Sequence, residues 1–243
     1  EAYLGLTQRK AGWDCFRHVE ILAAGCVPLM PDASEIPDFA MVHYPKASMA
    51  LVADHVRSEG GVPDSGTRSA FREYFNRHLT SLAMARFVLR AAGLEDARLV
   101  LFIDAALPQM ADYQSVLTLI GLKQLLGAGC HVRHPVDYIY KDVQRDLSHL
   151  YGRGFGYSRL LDSFAKSTTE CGQESLALTQ YDVLVVGSIS RNILEATRLL
   201  REFPPERTIW IHGEDTPPSL QQTRFLRQSG THTFIRSIHT RRR

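Results

Sequence analysis

Leu99-Val100-Leu101-Phe102-Ile103-Asp104 is apolar at five consecutive positions and then abruptly acidic. A run that does not alternate with polar residues suits a strand covered on both faces, which is the condition inside a parallel sheet. Tyr181-Asp182-Val183-Leu184-Val185-Val186-Gly187 repeats the pattern, and Thr208-Ile209-Trp210-Ile211-His212 gives it a third time. Between the first two, Gln114 to Leu126 has helical character and stops at Gly127 and Gly129. After the second, Ser188-Ile189-Ser190-Arg191-Asn192 turns into a helix expected from about 193 to 202. Strands alternating with helices predict an α/β lobe with a parallel sheet over residues 96–243.

Upstream, residues 12–32 read Gly-Trp-Asp-Cys-Phe-Arg-His-Val-Glu-Ile-Leu-Ala-Ala-Gly-Cys-Val-Pro-Leu-Met-Pro-Asp. Asp14 suits the N-cap of a helix running to about Ala24, and Gly25 suits its C-terminal stop. Arg17 and Glu20, three apart, share one face with His18 to one side, while Val19, Ile21, Leu22 and Ala23 are apolar. A short strand, Cys26 to Met30, follows at once. The charges are either a solvated helical ion pair, which stabilises little, or ligand contacts near the strand ends of an α/β sheet. Beyond it come a two-proline loop over 31–38, a short helix over 48–56 and a glycine-rich break over 59–66. Phe71, Phe75, Leu79, Leu82, Ala83, Phe87 and Leu89 then predict one long amphipathic helix, with room for a kink, over about 67–92. It closes a first lobe assigned to residues 1–95.

Arg17-x-x-Glu20, followed by Ala24-Gly25-Cys26-Val27-Pro28 and Asp32, resembles the donor-binding segment of exostosin-like glycosyltransferases, and more loosely that of other GT-B type enzymes. The likeness covers about residues 3–50. It implies two Rossmann-like lobes, with Glu20 holding the ribose of a nucleotide-sugar, Arg17 facing its diphosphate, and His18 with the Gly25 turn shaping the sugar pocket. The chemistry is sound, since a carboxylate accepts from ribose hydroxyls and a guanidinium neutralises phosphate. Many retaining members carry a second Glu eight positions earlier, where this chain has Gly12, so no stereochemical outcome is inferred. Asp112-Tyr113, Gly121-Leu122-Lys123, Asp137-Tyr138-Ile139-Tyr140-Lys141 and Gly213-Glu214-Asp215 resemble the non-donor lobe of the same group more faintly. Those enzymes usually place that lobe first. The early start of the donor segment implies either that the first lobe is incomplete, the chain being a piece of a longer one, or an unusual lobe order.

At 243 residues the chain has material for two α/β lobes with real cores. Lys and Arg total 28 against 26 Asp and Glu, a net charge of +2, which argues against a general affinity for nucleic acid. Arg241, Arg242 and Arg243 make a short basic end that suits a solvated terminus. Cys15, Cys26, Cys130 and Cys171 lack metal-ligand spacing and read as reduced thiols, hence a cytoplasmic setting. No run is long and apolar enough for a transmembrane segment, and no secretory signal opens the chain.

Within the second lobe, Gly187 with Ser188, Ser190 and Arg191 forms a phosphate-binding candidate at a helix start. It lacks both the Gly-x-Gly-x-x-Gly and the Gly-Lys-Ser/Thr patterns, which argues against dehydrogenase and kinase readings. His212, Glu214 and Asp215 follow a strand end and are the candidate catalytic group, one of them serving as base for an acceptor hydroxyl. Asp104 and Asp112 lack the adjacent acidic pair and the later lysine of a receiver-type pocket. Tyr151-Gly152-Arg153-Gly154-Phe155-Gly156-Tyr157-Ser158 alternates glycine with aromatic and basic residues and suits either stacking on a ring or a simple turn. The sequence therefore predicts transfer of a sugar from a nucleotide-sugar donor to an unidentified hydroxyl acceptor, with no obligatory metal or other cofactor. The competing expectation is a non-catalytic Rossmann-like module that binds a nucleotide or a partner. A weaker third is a phosphate-binding regulatory domain centred on Arg191.

Overall fold

A computed structural model describes residues 2–9, 12–170, 177–214 and 216–236. By internal contacts these divide into two compact units, one running to Thr80 and one from Ser81 to Arg236.

The first unit opens with a βαβ arrangement: β1 (Leu4–Leu6), α1 (Phe16–Ala23) and β2 (Val27–Leu29), with β1 and β2 paired in parallel. A strand therefore does precede the helix, although three residues are too few for a strong pattern in the sequence. Gly5 has a packing role, because a Cβ there would collide with the Ile21 side chain of α1. The helix ends as expected. Gly25 adopts φ +73°, its N–H donates to Leu22 O (3.0 Å), and Cys26 N–H donates to Ile21 O (3.0 Å), a Schellman closure. The start differs: the N-cap is Cys15 rather than Asp14, with no side-chain cap. α2 (Lys46–Glu59) is longer than the expected 48–56, and α3 (Ser65–His78) begins at Asp64, whose carboxylate accepts from Thr67 N–H (2.7 Å). Trp13, Leu22, Met30, Met49 and Phe71 share the core of this unit.

The single long helix expected over 67–92 is two helices, α3 and α4 (Ser81–Ala91). Their apolar stripes enter different cores, Phe71 that of the first unit and Ala85, Val88 and Leu89 that of the second. An unbroken periodicity cannot signal that change of destination. The units consequently divide at Thr80, ahead of the expected boundary at residue 95.

The second unit contains β3 (Val100–Ile103), α5 (Tyr113–Leu126), β4 (Cys130–Val132), β5 (Val183–Val186), α6 (Ile189–Leu199), β6 (Thr208–His212), α7 (Leu220–Gln228) and β7 (His232–Ile235). All five strands are parallel, in spatial order β4-β3-β5-β6-β7. β3, β5 and β6 are fully buried, as their apolar runs require. Val100, Phe102, Val183, Val185, Ile209 and Ile211 face a core with α4 and α5, while Leu101, Ile103, Leu184, Val186 and Trp210 face α6 and α7. This is an α/β unit compatible with a Rossmann-like fold. β4, α7 and β7 were not anticipated: β4 has three residues, α7 is strongly polar, and β7 is an edge strand only partly buried. α6 starts at Ile189, earlier than residue 193.

α4 and α5 meet closely, since a Cβ on Gly121 would overlap the Ser81 carbonyl oxygen. Among its described residues, the long connection from β4 to β5 has short 3₁₀ turns in place of a helix. It is pinned by Lys123, whose buried ammonium donates to Ala165 O (3.0 Å) and pairs with Glu170. Glu170 also accepts from Tyr140 OH (2.6 Å), Ser167 N–H (2.9 Å) and Ser167 Oγ (2.7 Å), so every charge in this buried set has hydrogen bonds. Among the described residues no helix is long and apolar enough to cross a membrane.

Candidate functional site

In the second unit the chain leaves β3 for one edge, to form β4, and returns to the other side of β3 to form β5. The carboxyl ends of β3 and β5 are therefore the point where the winding reverses, and a crevice outside those ends is the usual ligand position in such sheets. A polar cluster occupies it. Asp104, directly after β3, is almost fully buried and accepts from Ser115 Oγ (2.7 Å), Arg191 Nη2 (2.9 Å) and Asn192 Nδ2 (3.3 Å). Asp112 caps α5 through Ser115 N–H (3.1 Å) and takes a second bond from Arg191 Nη2 (3.0 Å). Glycine is required twice: a Cβ at Gly187 would overlap Asp104, and one at Gly213 would overlap Asp112.

Ser188 and Ser190 both donate to Glu214, the second at 2.8 Å. Ser188 occupies the N-cap position of α6 but makes no side-chain cap, because its hydroxyl is turned to that carboxylate. Arg191 reaches Glu214 at 3.9 Å as well. Burial acts to lower the Arg191 pKa, but the charges of Asp104 and Asp112 and their hydrogen bonds outweigh it and hold the group above its ordinary value. The Arg191 guanidinium, expected from the sequence to meet a phosphate, is engaged by the protein's own carboxylates, Asp104 and Asp112 closely and Glu214 at 3.9 Å.

The structure brings together Ser188, Ser190, Arg191 and Glu214 as one group. His212 is at the end of β6 but buried, with Nε2 donating to Thr216 O (3.0 Å) and Nδ1 without a partner among the described residues. Its burial, not its hydrogen bonding, keeps Nδ1 from an acceptor in solvent. Asp215 lies outside the described residues, as do Cys171 and Arg241, Arg242 and Arg243. Nothing in the sequence singles out Ser115 or Asn192, and there Asp104 and Asp112 show only that they do not make a receiver-type pocket. The available signal was positional: Asp104, Gly187 and Gly213 each directly follow a strand.

In the first unit, Arg17 is exposed and Glu20 partly so, and they form no ion pair with each other or with another group among the described residues. The helical ion-pair alternative is therefore absent here. His18 is fully buried, its Nε2 donating to Trp13 O (3.0 Å) and its Nδ1 taking the Thr7 hydroxyl (3.0 Å). Burial holds its pKa below the ordinary 6.5. It staples the β1–α1 loop rather than facing a sugar. Gly25 sits at the other end of α1, about 10 Å along the axis from His18 at about 1.5 Å per residue, and its carbonyl accepts from Arg68 Nε (2.6 Å). His18 and Gly25 are thus held at opposite ends of α1 by separate contacts.

Cys15, Cys26 and Cys130 are free thiols, and burial pushes the Cys130 thiol up to about 12, far from reactivity. No group of three or more His, Cys, Asp or Glu among the described residues is arranged to hold a metal ion. Comparison of the chain with protein-family models, with curated proteins and with solved structures finds no match.

Proposed function

We propose that this chain is a glycosyltransferase-like protein that takes a sugar from a nucleotide-sugar and passes it to a hydroxyl acceptor, its two units acting as lobes of a GT-B type enzyme in a cytoplasmic setting. The observation that supports this most is the pair Arg17 and Glu20, one turn apart on α1 and unengaged by any described group. An ion pair between them would have spent both charges. Left open, the guanidinium suits a diphosphate and the carboxylate suits ribose hydroxyls. In the transfer, the bond from the anomeric carbon to the diphosphate breaks as the acceptor oxygen bonds to that carbon, and the acceptor proton passes to a base. Within the second unit's candidate group, Glu214 is partly exposed and held by two serine hydroxyls, whereas His212 is buried. A metal is not needed for this scheme, because Arg17 offsets charge on the leaving group.

A second reading, a non-catalytic binding module, draws support from Arg191, whose engagement by Asp104 and Asp112 leaves the switch-point crevice filled by the protein's own groups. Calorimetry with uridine and guanosine diphosphate sugars, paired with a donor-hydrolysis assay, separates the two. Turnover supports transfer, binding without turnover supports the module, and absence of binding removes both nucleotide readings. Arg17→Ala and Glu20→Ala should each weaken donor affinity by about tenfold or more. Unchanged affinity in both variants overturns the site assignment.

A further inference from the structure

The connection from β4 to β5 carries an open surface cavity of about 480 Å³ lined by the exposed Arg145, Arg153 and Arg159 together with Asp146, Ser148 and Ser158. Its charge is lopsided. The one lining carboxylate, Asp146, accepts from the Ser148 hydroxyl and from the Ser148 N–H (2.9 Å), bonds that hold its pKa below the ordinary carboxylate value. Arg159 donates from Nη2 to Arg145 O (3.3 Å), joining the two sides of the cavity. The Arg145 and Arg153 side chains make no hydrogen bond or ion pair among the described residues. Two guanidiniums are thus unengaged beside a third.

The backbone gives an independent indication. Arg153 and Arg159 both adopt left-handed conformations, φ +55° and +54°, in which a side chain is disfavoured. Gly152, Gly154 and Gly156, in the same segment, take left-handed φ values without that cost. Glycine thus stands at three left-handed positions, and arginine stands at the two whose side chains line the cavity. The segment is held by hydrogen bonds, two within it, Arg153 N–H to Leu150 O (2.8 Å) and the buried Tyr157 hydroxyl to Tyr151 O (2.6 Å), and one from outside, Arg159 N–H to Tyr138 O (2.8 Å). Strain held this way in a rigid loop is a feature of binding sites. Position agrees as well. Tyr113, the residue after Asp112, packs edge-on against Tyr151 (5.9 Å) and Tyr157 (5.3 Å), so the loop is buttressed by the first turn of α5, beside the switch-point cluster.

We propose that this cavity binds the oxyanion of a small ligand, a phosphate or sulfate ester, through Arg145, Arg153 and Arg159. The proposal is independent of the donor site on α1. It is tested on the full chain by calorimetry with inorganic phosphate, pyrophosphate, sulfate and a sugar monophosphate, the four arms separating free anions from an ester. The informative variants are Arg153→Gly and Arg159→Gly, which remove the guanidinium while keeping the left-handed backbone, with Arg145→Ala as a variant that leaves those two positions untouched. Each should weaken binding of the tightest anion by about tenfold or more, with a thermal midpoint unchanged or higher for the glycine variants. Arg224→Ala, an exposed arginine on α7 outside both sites, should bind as the parent does. No saturable binding of any of the four probes, or affinity equal to the parent's in all three cavity variants, overturns the proposal. Loss on Arg17→Ala alone would assign the anion to α1 instead.

Discussion

Arg191 and Asp104, 87 residues apart in sequence, meet at 2.9 Å across the carboxyl ends of the central strands, with the Asp104 side chain fully shielded from solvent. Nothing local brings them together. β3 places one, the start of α6 places the other, and parallel pairing of β3 with β5 sets the distance. The pair therefore reports on correct docking of α6 over the sheet.

Removing one partner of a buried pair leaves the other charge without compensation. Arg191→Ala should destabilise the second unit by about 3–5 kcal/mol, read as a drop in the urea midpoint. Adding Asp104→Asn should return part of that loss, because the stranded charge is gone. A double variant as unstable as the sum of the singles would mean the two side chains act independently.

Lys123 and Glu170 form a second buried pair, linking α5 to the irregular connection. Lys123→Met should cost about as much as Arg191→Ala by the same reasoning. Its signature differs: proteolysis should become faster within residues 133–170, the part that this pair pins. Unaltered cleavage there would show that the pair stabilises the unit without anchoring the connection.

His18 gives a pH dependence with a definite sign. Its folded pKa lies below the unfolded value of 6.5, chiefly through burial, so below that value the unfolded chain binds more protons than the folded one. Stability from this group is full above 6.5 and declines as pH falls toward the folded pKa. His43 and His131 shift the same way, again through burial first. Denaturation midpoints should fall on acidification from about pH 7 to about pH 5, with a shallower dependence in His18→Gln. An identical slope in that variant would remove His18 as a contributor.

Gly121 and Gly187 test close approach rather than backbone freedom, neither having a left-handed φ. Alanine at 121 would press on the Ser81 carbonyl, and alanine at 187 on Asp104. Each should cost about 1–3 kcal/mol by thermal denaturation. Alanine at Gly127, with no atom near its Cβ position but φ +56°, should cost less through packing and act by strain alone.

Much of the scaffold was legible because burial on both faces leaves a local trace. Val100–Ile103, Val183–Val186 and Thr208–His212 lie where unbroken apolar runs predict strands, and Gly25 ends α1 where a left-handed residue is needed. Three-residue strands such as Leu4–Leu6 and Cys130–Val132 are too short to carry a period, and α7 is too polar. The break at Thr80 was hidden because helical periodicity records that a face is buried, not against what.

The candidate sites divide along the same line. The sequence by itself determined the central strands, the helix stop at Gly25 and the charges available at Arg17, Glu20, Arg191 and Glu214, because residue type and spacing act within a few residues. Which charges are engaged was decided by tertiary structure. Arg191 meets Asp104 and Asp112, His18 is buried between Thr7 and Trp13, and Arg145 joins Arg153 and Arg159 around one cavity. Electrostatic partners are chosen by distance in space, and chain order carries that distance only after the strands have paired.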